Sequence, residues 1–152
     1  MIGIIYLLYD TYHVTDKPNR MTINAPEITL SYLAILGVIY AILSIIVVAL
    51  RRKLDIPYGD GGNEHLLHAV RAHSNFAEWV PIVCLLVAGL EMLGQSGLRI
   101  HILMGTLLAA RVLHPFGIFS AVGTPMYLVG RITGALSTWV VLVAASFFAL
   151  PF

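Results

Sequence analysis

The sequence predicts an all-α integral membrane protein, an up-and-down bundle of four helices, and three observations carry that prediction. Of its 152 residues 59% are hydrophobic and only 11% charged, with a mean hydropathy of +0.87; soluble domains carry about 25% charged residues. Four segments approach the roughly 20 apolar residues that a helix needs to cross the hydrocarbon of a bilayer. None of them alternates with the two-residue period of a membrane barrel strand, so helices are the way to satisfy the backbone in lipid.

Several function classes are excluded early. A formal net charge of +1 offers no basic field for nucleic acid and no acidic tail. The single cysteine, Cys84, lies in an apolar run, which rules out an intrachain disulfide and a cysteine metal cluster.

The elements follow in chain order. Residues 1–24 read as an N-terminal extension, loosely ordered or lying on the membrane surface, because "IGIIYLLY" is too short to span and lacks the small-residue cleavage site of a secretory signal. Residues 25–152 form the transmembrane domain. Its first span is the uncharged run 28–50. "RRKLDIPYGDGG" follows, with Pro57, Gly59, Gly61 and Gly62 as turn chemistry and Asn63 as the cap ahead of Glu64. The second span starts amphipathic near Glu64 and reads as an apolar run over 79–93, with Pro81 expected to kink it. The third, 98–119, is interrupted by Arg111 and His114, and the fourth, 126–150, carries only Arg131. The connections "GQSG" and "SAVGTP" are short, so neighbouring helices run antiparallel. Arg51, Arg52 and Lys53 place the first loop in the cytoplasm by the positive-inside preference. Both termini then lie outside it, in the inner membrane if the source is bacterial.

That topology brings the intramembrane charges to one level. Arg51 and Arg52 end the first helix there, Arg71, Asn75 and Glu78 open the second, Arg111 and His114 close the third, and Arg131 opens the fourth. At about 100° per residue, with Arg71 at zero, Asn75 falls near +40°, Glu78 near −20°, His68 near +60° and Glu64 near +20°, while His73 falls on the opposite face. A charge at mid-membrane costs several kcal/mol and is usually functional. One bland alternative is an Arg71–Glu78 ion pair along the helix, but arginines outnumber acids in this region, and a cationic surplus calls for an anionic ligand. Guanidinium forks for carboxylates, one carboxylate for an ammonium and an amide for a peptide group match a small zwitterionic peptide with surplus acid. Glutathione has that pattern.

Other features have plainer readings. Glu64, His65, His68 and His73 sit at helical spacing, but His65 and His73 point away from the Glu64/His68 side; no metal is expected, and these histidines, with His101, read as solvated interfacial groups. Gly130, Gly134 and Thr138, and Gly37, Ala41 and Ser44, form small-residue strips that favour close helix packing and support an oligomer. Trp139 falls mid-span, where it reads as packing.

The segment "RAHSNFAEWVP", with Arg71, Asn75, Glu78, Trp79 and Pro81, resembles the second-helix signature of the MAPEG family, the membrane-associated proteins in eicosanoid and glutathione metabolism, here of a bacterial type. "ARVLHPFG" (110–117) is similar to its third-helix segment and "PMYLVGR" (125–131) to the start of its fourth. The resemblance runs from about residue 25 to the end. It implies a homotrimer of four-helix protomers with glutathione, as cosubstrate, between adjacent subunits near the cytosolic face. Arg71, Asn75 and Glu78 would hold the peptide, Arg51 and Arg52 would reach it from the neighbouring subunit, and Arg111 and His114 would complete the wall. The chemistry implied is thiolate attack on a lipophilic electrophile from the bilayer, as a glutathione transferase or peroxidase.

The sequence also departs from that pattern. The eicosanoid-making members have a tyrosine shortly after the third-helix arginine and a further arginine in the next loop. Here the region reads "FGIFSAVGT", with Ile118 and Phe119 and no basic residue. Arg131, Arg52 and Tyr127, with Ser120, are left as the candidates for assisting the thiol. Two alternatives follow: a non-catalytic binding protein of this fold that has lost thiol activation, or a small anion-transport subunit.

Overall fold

The computed structural model describes residues 24–121 and 123–150. The extension expected over residues 1–24 therefore lies, Asn24 apart, outside the described residues. Among those residues every regular element is helical: α1 is Glu27–Leu54, α2 Glu64–Met92 and α3 Gly97–Ile118, while a π-helical turn, Tyr127–Thr133, runs into α4, Gly134–Ala149. Four helical stretches, the last of them Tyr127–Ala149, are long and apolar enough to cross a membrane. The protein is a multi-pass membrane protein with a four-helix fold.

Local chemistry accounts for three of the helix ends. The Asn63 side chain accepts from Leu66 N at 3.0 Å and starts α2, as the sequence predicts for a cap. After α1 the chain turns through Asp55 at φ 55°, and Arg51 Nη1 donates to the carbonyls of Ile56 at 3.2 Å and Gly59 at 2.9 Å. Gly94, at φ 83°, closes α2; glycine adopts this left-handed conformation without the steric cost of a Cβ. Helix α2 continues through Pro81 to Met92.

The start of α1 is held from a distance. Its N-cap, Pro26, makes no side-chain cap hydrogen bond. Instead Glu91, near the end of α2, accepts from Ile28 N at 2.8 Å, Thr29 N at 2.8 Å and Thr29 Oγ1 at 2.6 Å. A carboxylate suits this place because the first N–H groups of a helix lack partners and carry partial positive charge.

The core lies between α2 and α3. Val83, Val87, Leu90, Ile100, Met104 and Leu107 are all fully buried, joined by Leu36 from α1 and by Val141 and Ala145 from α4. Helix α1 buries only Thr29, Leu36 and Leu43, so most of its surface is left to lipid or to another chain.

Two sequence expectations are corrected by this packing. Gly130, Gly134 and Thr138 face inward against α3, where a Cβ on Gly134 would meet His114 Cβ at 3.1 Å; this strip builds the protomer and is not an exposed oligomer seam. His73 and His101 are not simply solvated: His73 Nε2 shares a hydrogen bond with Ser44 Oγ at 3.0 Å and its ring stacks on Tyr40, and His101 Nδ1 pairs with the Tyr32 hydroxyl at 3.2 Å. Each bond ties α1 to a neighbouring helix. Trp139 is half-exposed, with its ring 6.3 Å from that of Trp79.

Candidate functional site

At the charged end of the bundle, among the described residues, three cavities follow one another along α2. The central one, of about 480 Å³, is lined by His68, Arg71 and Asn75 from α2, His114 and Ile118 from α3, and Arg131 from the π-helical turn. Toward the first loop, a second of about 440 Å³ shares Arg71 and adds Arg51, Asp60 and Ser74. Deeper in the bundle, a third of about 210 Å³ shares Asn75 and adds Glu78, Trp79, Arg111, Thr138 and Trp139. Arg71 and Asn75 thus join all three, as residues four apart on one helix face do.

The side chains differ in how far they are already engaged. Arg71 and Glu78 are exposed, and among the described residues neither has a hydrogen-bond or ion-pair partner. The intrahelical Arg71–Glu78 pair is therefore not formed. Arg131 donates from Nη1 to the Tyr127 hydroxyl oxygen at 3.2 Å, and its guanidinium carbon lies 5.3 Å from the centre of that ring. His114 is 5% exposed and lines the central cavity.

Arg111 behaves differently from a free wall residue. It is 2% exposed, and it donates to Asn75 O at 3.4 Å, to Gly134 O at 3.0 Å and to Thr138 Oγ1. It cross-braces α2, α3 and α4 around the cavities. Its Nε is buried without a hydrogen-bond partner, and its donors meet only neutral oxygens. A buried cation so placed carries a desolvation cost and adds positive potential to the adjoining space.

Arg51 and Arg52 separate. Arg51 lines the loop-side cavity while holding the loop carbonyls of Ile56 and Gly59, whereas Arg52 is exposed and lines none of the three. Arg131 and Tyr127 are brought together, and Ser120 donates to Phe116 O at 2.7 Å near the end of α3. The sequence did not single out Thr138 as a polar group at the site or Glu91 as a buried one. Glu91 falls inside the run 79–93 that reads as apolar, and a lone carboxylate within it is the sequence signal that marks the residue.

A family model described as "MAPEG family" matches residues 29–150. The chain belongs to the MAPEG family. At that level it is a membrane protein of a glutathione-related group. Inner membrane protein YecN of Escherichia coli strain K12 is 38% identical over 87 residues, which cover 52% of this chain and 66% of that protein. The YecN of Escherichia coli O6:H1 strain CFT073 gives the same figures. The alignment spans just under two thirds of these relatives' length. No solved structure matches the chain.

Proposed function

We propose that this MAPEG protein binds glutathione in the cationic cavities and, as a transferase or peroxidase, turns its thiol on lipophilic electrophiles dissolved in the bilayer. The observation that carries the reading is the central cavity, where Arg71, Asn75, His114 and Arg131 converge from three elements while Arg71 and Glu78 have no partner within the described chain. Ionised donors and acceptors left open in a membrane protein are expensive unless a ligand or cavity water meets them. Glutathione brings two carboxylates for Arg71 and its neighbours and one ammonium for Glu78. In a homotrimer the exposed Arg71 and Glu78 would face a neighbouring subunit, whose Arg52 would add to the same charge.

For the thiol, the Arg131–Tyr127 pair is the strongest candidate, because a fixed positive charge favours thiolate over thiol and thiolate is the nucleophile. The bilayer of the inner membrane, with the charged loop on the cytoplasmic side, is the setting this reading implies.

Calorimetric titration of purified protein with glutathione tests it. Binding by wild type and its loss in Arg71→Ala is the expected result; no binding by wild type would sink the proposal. A second reading, binding without turnover, is favoured by the absence of a tyrosine or basic residue over 116–124. Turnover with a halodinitrobenzene separates the two.

A further inference from the structure

One stretch of the bundle departs from α geometry. Tyr127–Thr133 form a π-helical turn; such turns are rare, occur mostly as single turns within α-helices, and are frequent at functional sites. Here the opposing element, α3, supplies a steric reason. A Cβ at Gly130 would stand 2.5 Å from Gly117 N and 2.8 Å from Leu113 O, and one at Gly117 would stand 2.1 Å from Arg131 N. Backbone meets backbone at this crossing, an approach that only residues without a Cβ permit.

The far end of the turn is also held. The Gly134 carbonyl accepts from Arg111 Nη2 at 3.0 Å and from Thr138 Oγ1 at 2.9 Å. Because Arg111 also reaches Asn75 O, one guanidinium fixes the junction of the π-helical turn with α4 to both α2 and α3.

The wider turn decides where side chains point. The Arg131–Tyr127 hydrogen bond and ring contact join positions four apart, which are neighbours on an α-helix as well; what the wider turn changes is the direction of Arg131 relative to α4. Measured from α4, one residue too many has been accommodated. Arg131 lies three residues before Gly134 within the turn, so its direction differs from that in an uninterrupted α-helix by tens of degrees, on the order of half a residue step, and in the π geometry it stands on the wall with Arg71 and Asn75.

We infer that the π-helical turn is the device that delivers Arg131 to the central cavity, with Tyr127 bonded to it from the same turn, and that Gly117, Gly130 and Arg111 are positioning residues acting through it. The Arg131 guanidinium gives one N–H to the Tyr127 oxygen, which leaves the Tyr127 O–H free to donate to a further acceptor. A thiolate in the cavity then meets the positive charge of Arg131, whose direction is fixed by its bond to Tyr127. Ionisation moves the thiol proton to water and leaves the electron pair on sulfur. The inference deepens the glutathione reading and rests on it.

The experiment uses full-length protein in lipid nanodiscs, wild type beside Arg131→Gln, Thr138→Val and a deletion of Ile132. Ile132 is 44% exposed, so its deletion shortens the turn without removing a core side chain. Three quantities are read: the melting temperature, the affinity for S-methylglutathione, which has no free thiol, and the ultraviolet absorbance of bound glutathione thiolate across pH. The deletion is expected to behave like Arg131→Gln, raising the apparent pKa of the bound thiol by about one unit, a tenfold loss of thiolate at neutral pH. S-methylglutathione affinity, which reports the cavity's hold on the peptide apart from its thiol, is expected to change alike in the deletion and in Arg131→Gln. Thr138→Val, which removes a hydroxyl and keeps the volume, should shift the thiol in the same direction by less, and it serves even if the deletion fails to fold. Unchanged thiol ionisation in Thr138→Val and in a folded deletion variant, beside a shifted Arg131→Gln, would overturn the positioning role. No shift in Arg131→Gln would overturn the place of Arg131 at the sulfur. Failure of wild type to bind either peptide is a different result, which removes the glutathione reading itself.

Discussion

Near the C-terminal end of α2, Glu91 is 8% exposed, and both of its oxygens accept hydrogen bonds from the first turn of α1. Toward the other end of the same helix, Arg71 and Glu78 are exposed and have no partner among the described residues. One end uses an intramembrane charge to join two helices; the other holds charges ready that the protomer does not use. The difference teaches how to separate structure from function in a greasy chain. A buried charge with its partners in place is evidence about folding, whereas an ionised group without partners, on a cavity, is evidence about a ligand.

Substitutions at the two ends should therefore have opposite signatures. The largest effect is expected for Glu91→Ala, which leaves the Ile28 and Thr29 donors without an acceptor at the start of α1. A loss of about 3 kcal/mol in unfolding free energy follows from hydrogen bonds to a charged group at roughly 1.5–3 kcal/mol each, partly replaced by water. Thermal unfolding in lipid would register it, and glutathione affinity, measured where the variant is folded, should hardly move. A stable Glu91→Ala protein with impaired binding would erase the contrast. Next is Arg71→Ala, expected to lower glutathione affinity by about ten- to a hundredfold, the worth of one charge-assisted contact. Its melting temperature should match wild type; a large drop would mean that Arg71 is structural after all.

Two smaller effects sharpen the boundary. His73→Ala removes the Ser44 bond and the Tyr40 stack, for a cost of about 1 kcal/mol in stability, while glutathione binding should be unaffected because His73 lies on another face of α2. Impaired binding without loss of stability would show the face assignment to be wrong. The smallest change is expected for Arg52→Ala. An exposed ion pair is worth at most about 1 kcal/mol, or about fivefold in affinity, and even that requires a neighbouring subunit to bring Arg52 to the cavity. Dilution into monomer should abolish the difference between Arg52→Ala and wild type; a difference that persists in monomer would contradict a contribution across subunits.

Much of this architecture was legible before any coordinates. The four spans follow from hydropathy and length, and their observed ends lie close to the predicted ones, because lipid demands long uninterrupted helices. Placing Arg71 and Asn75 on one face needed only the helical repeat, and both line the central cavity. The assignment of small-residue strips was less successful. Gly130, Gly134 and Thr138 have the spacing of an oligomer seam, yet the same spacing serves packing within a chain, and α3 takes that face. His73 and His101 were read as solvated because sequence periodicity gives the face of a residue but not the neighbour that occupies it.

What the sequence determined by itself is whatever depends on neighbours within about a turn: that the chain is helical and membrane-spanning, where each helix begins, and that Arg71, Asn75 and Glu78 form a stripe. Tertiary structure alone decided the contacts between residues far apart in the chain. Glu91 meets Thr29 across 62 positions, Arg111 meets Thr138 across 27, and the contact of Gly117 with Gly130 accompanies a π-helical turn that local propensity gives no reason to expect. The physical reason is that backbone geometry propagates side-chain direction along one helix, whereas the partner of a buried polar group is set by which helices pack together and at what register.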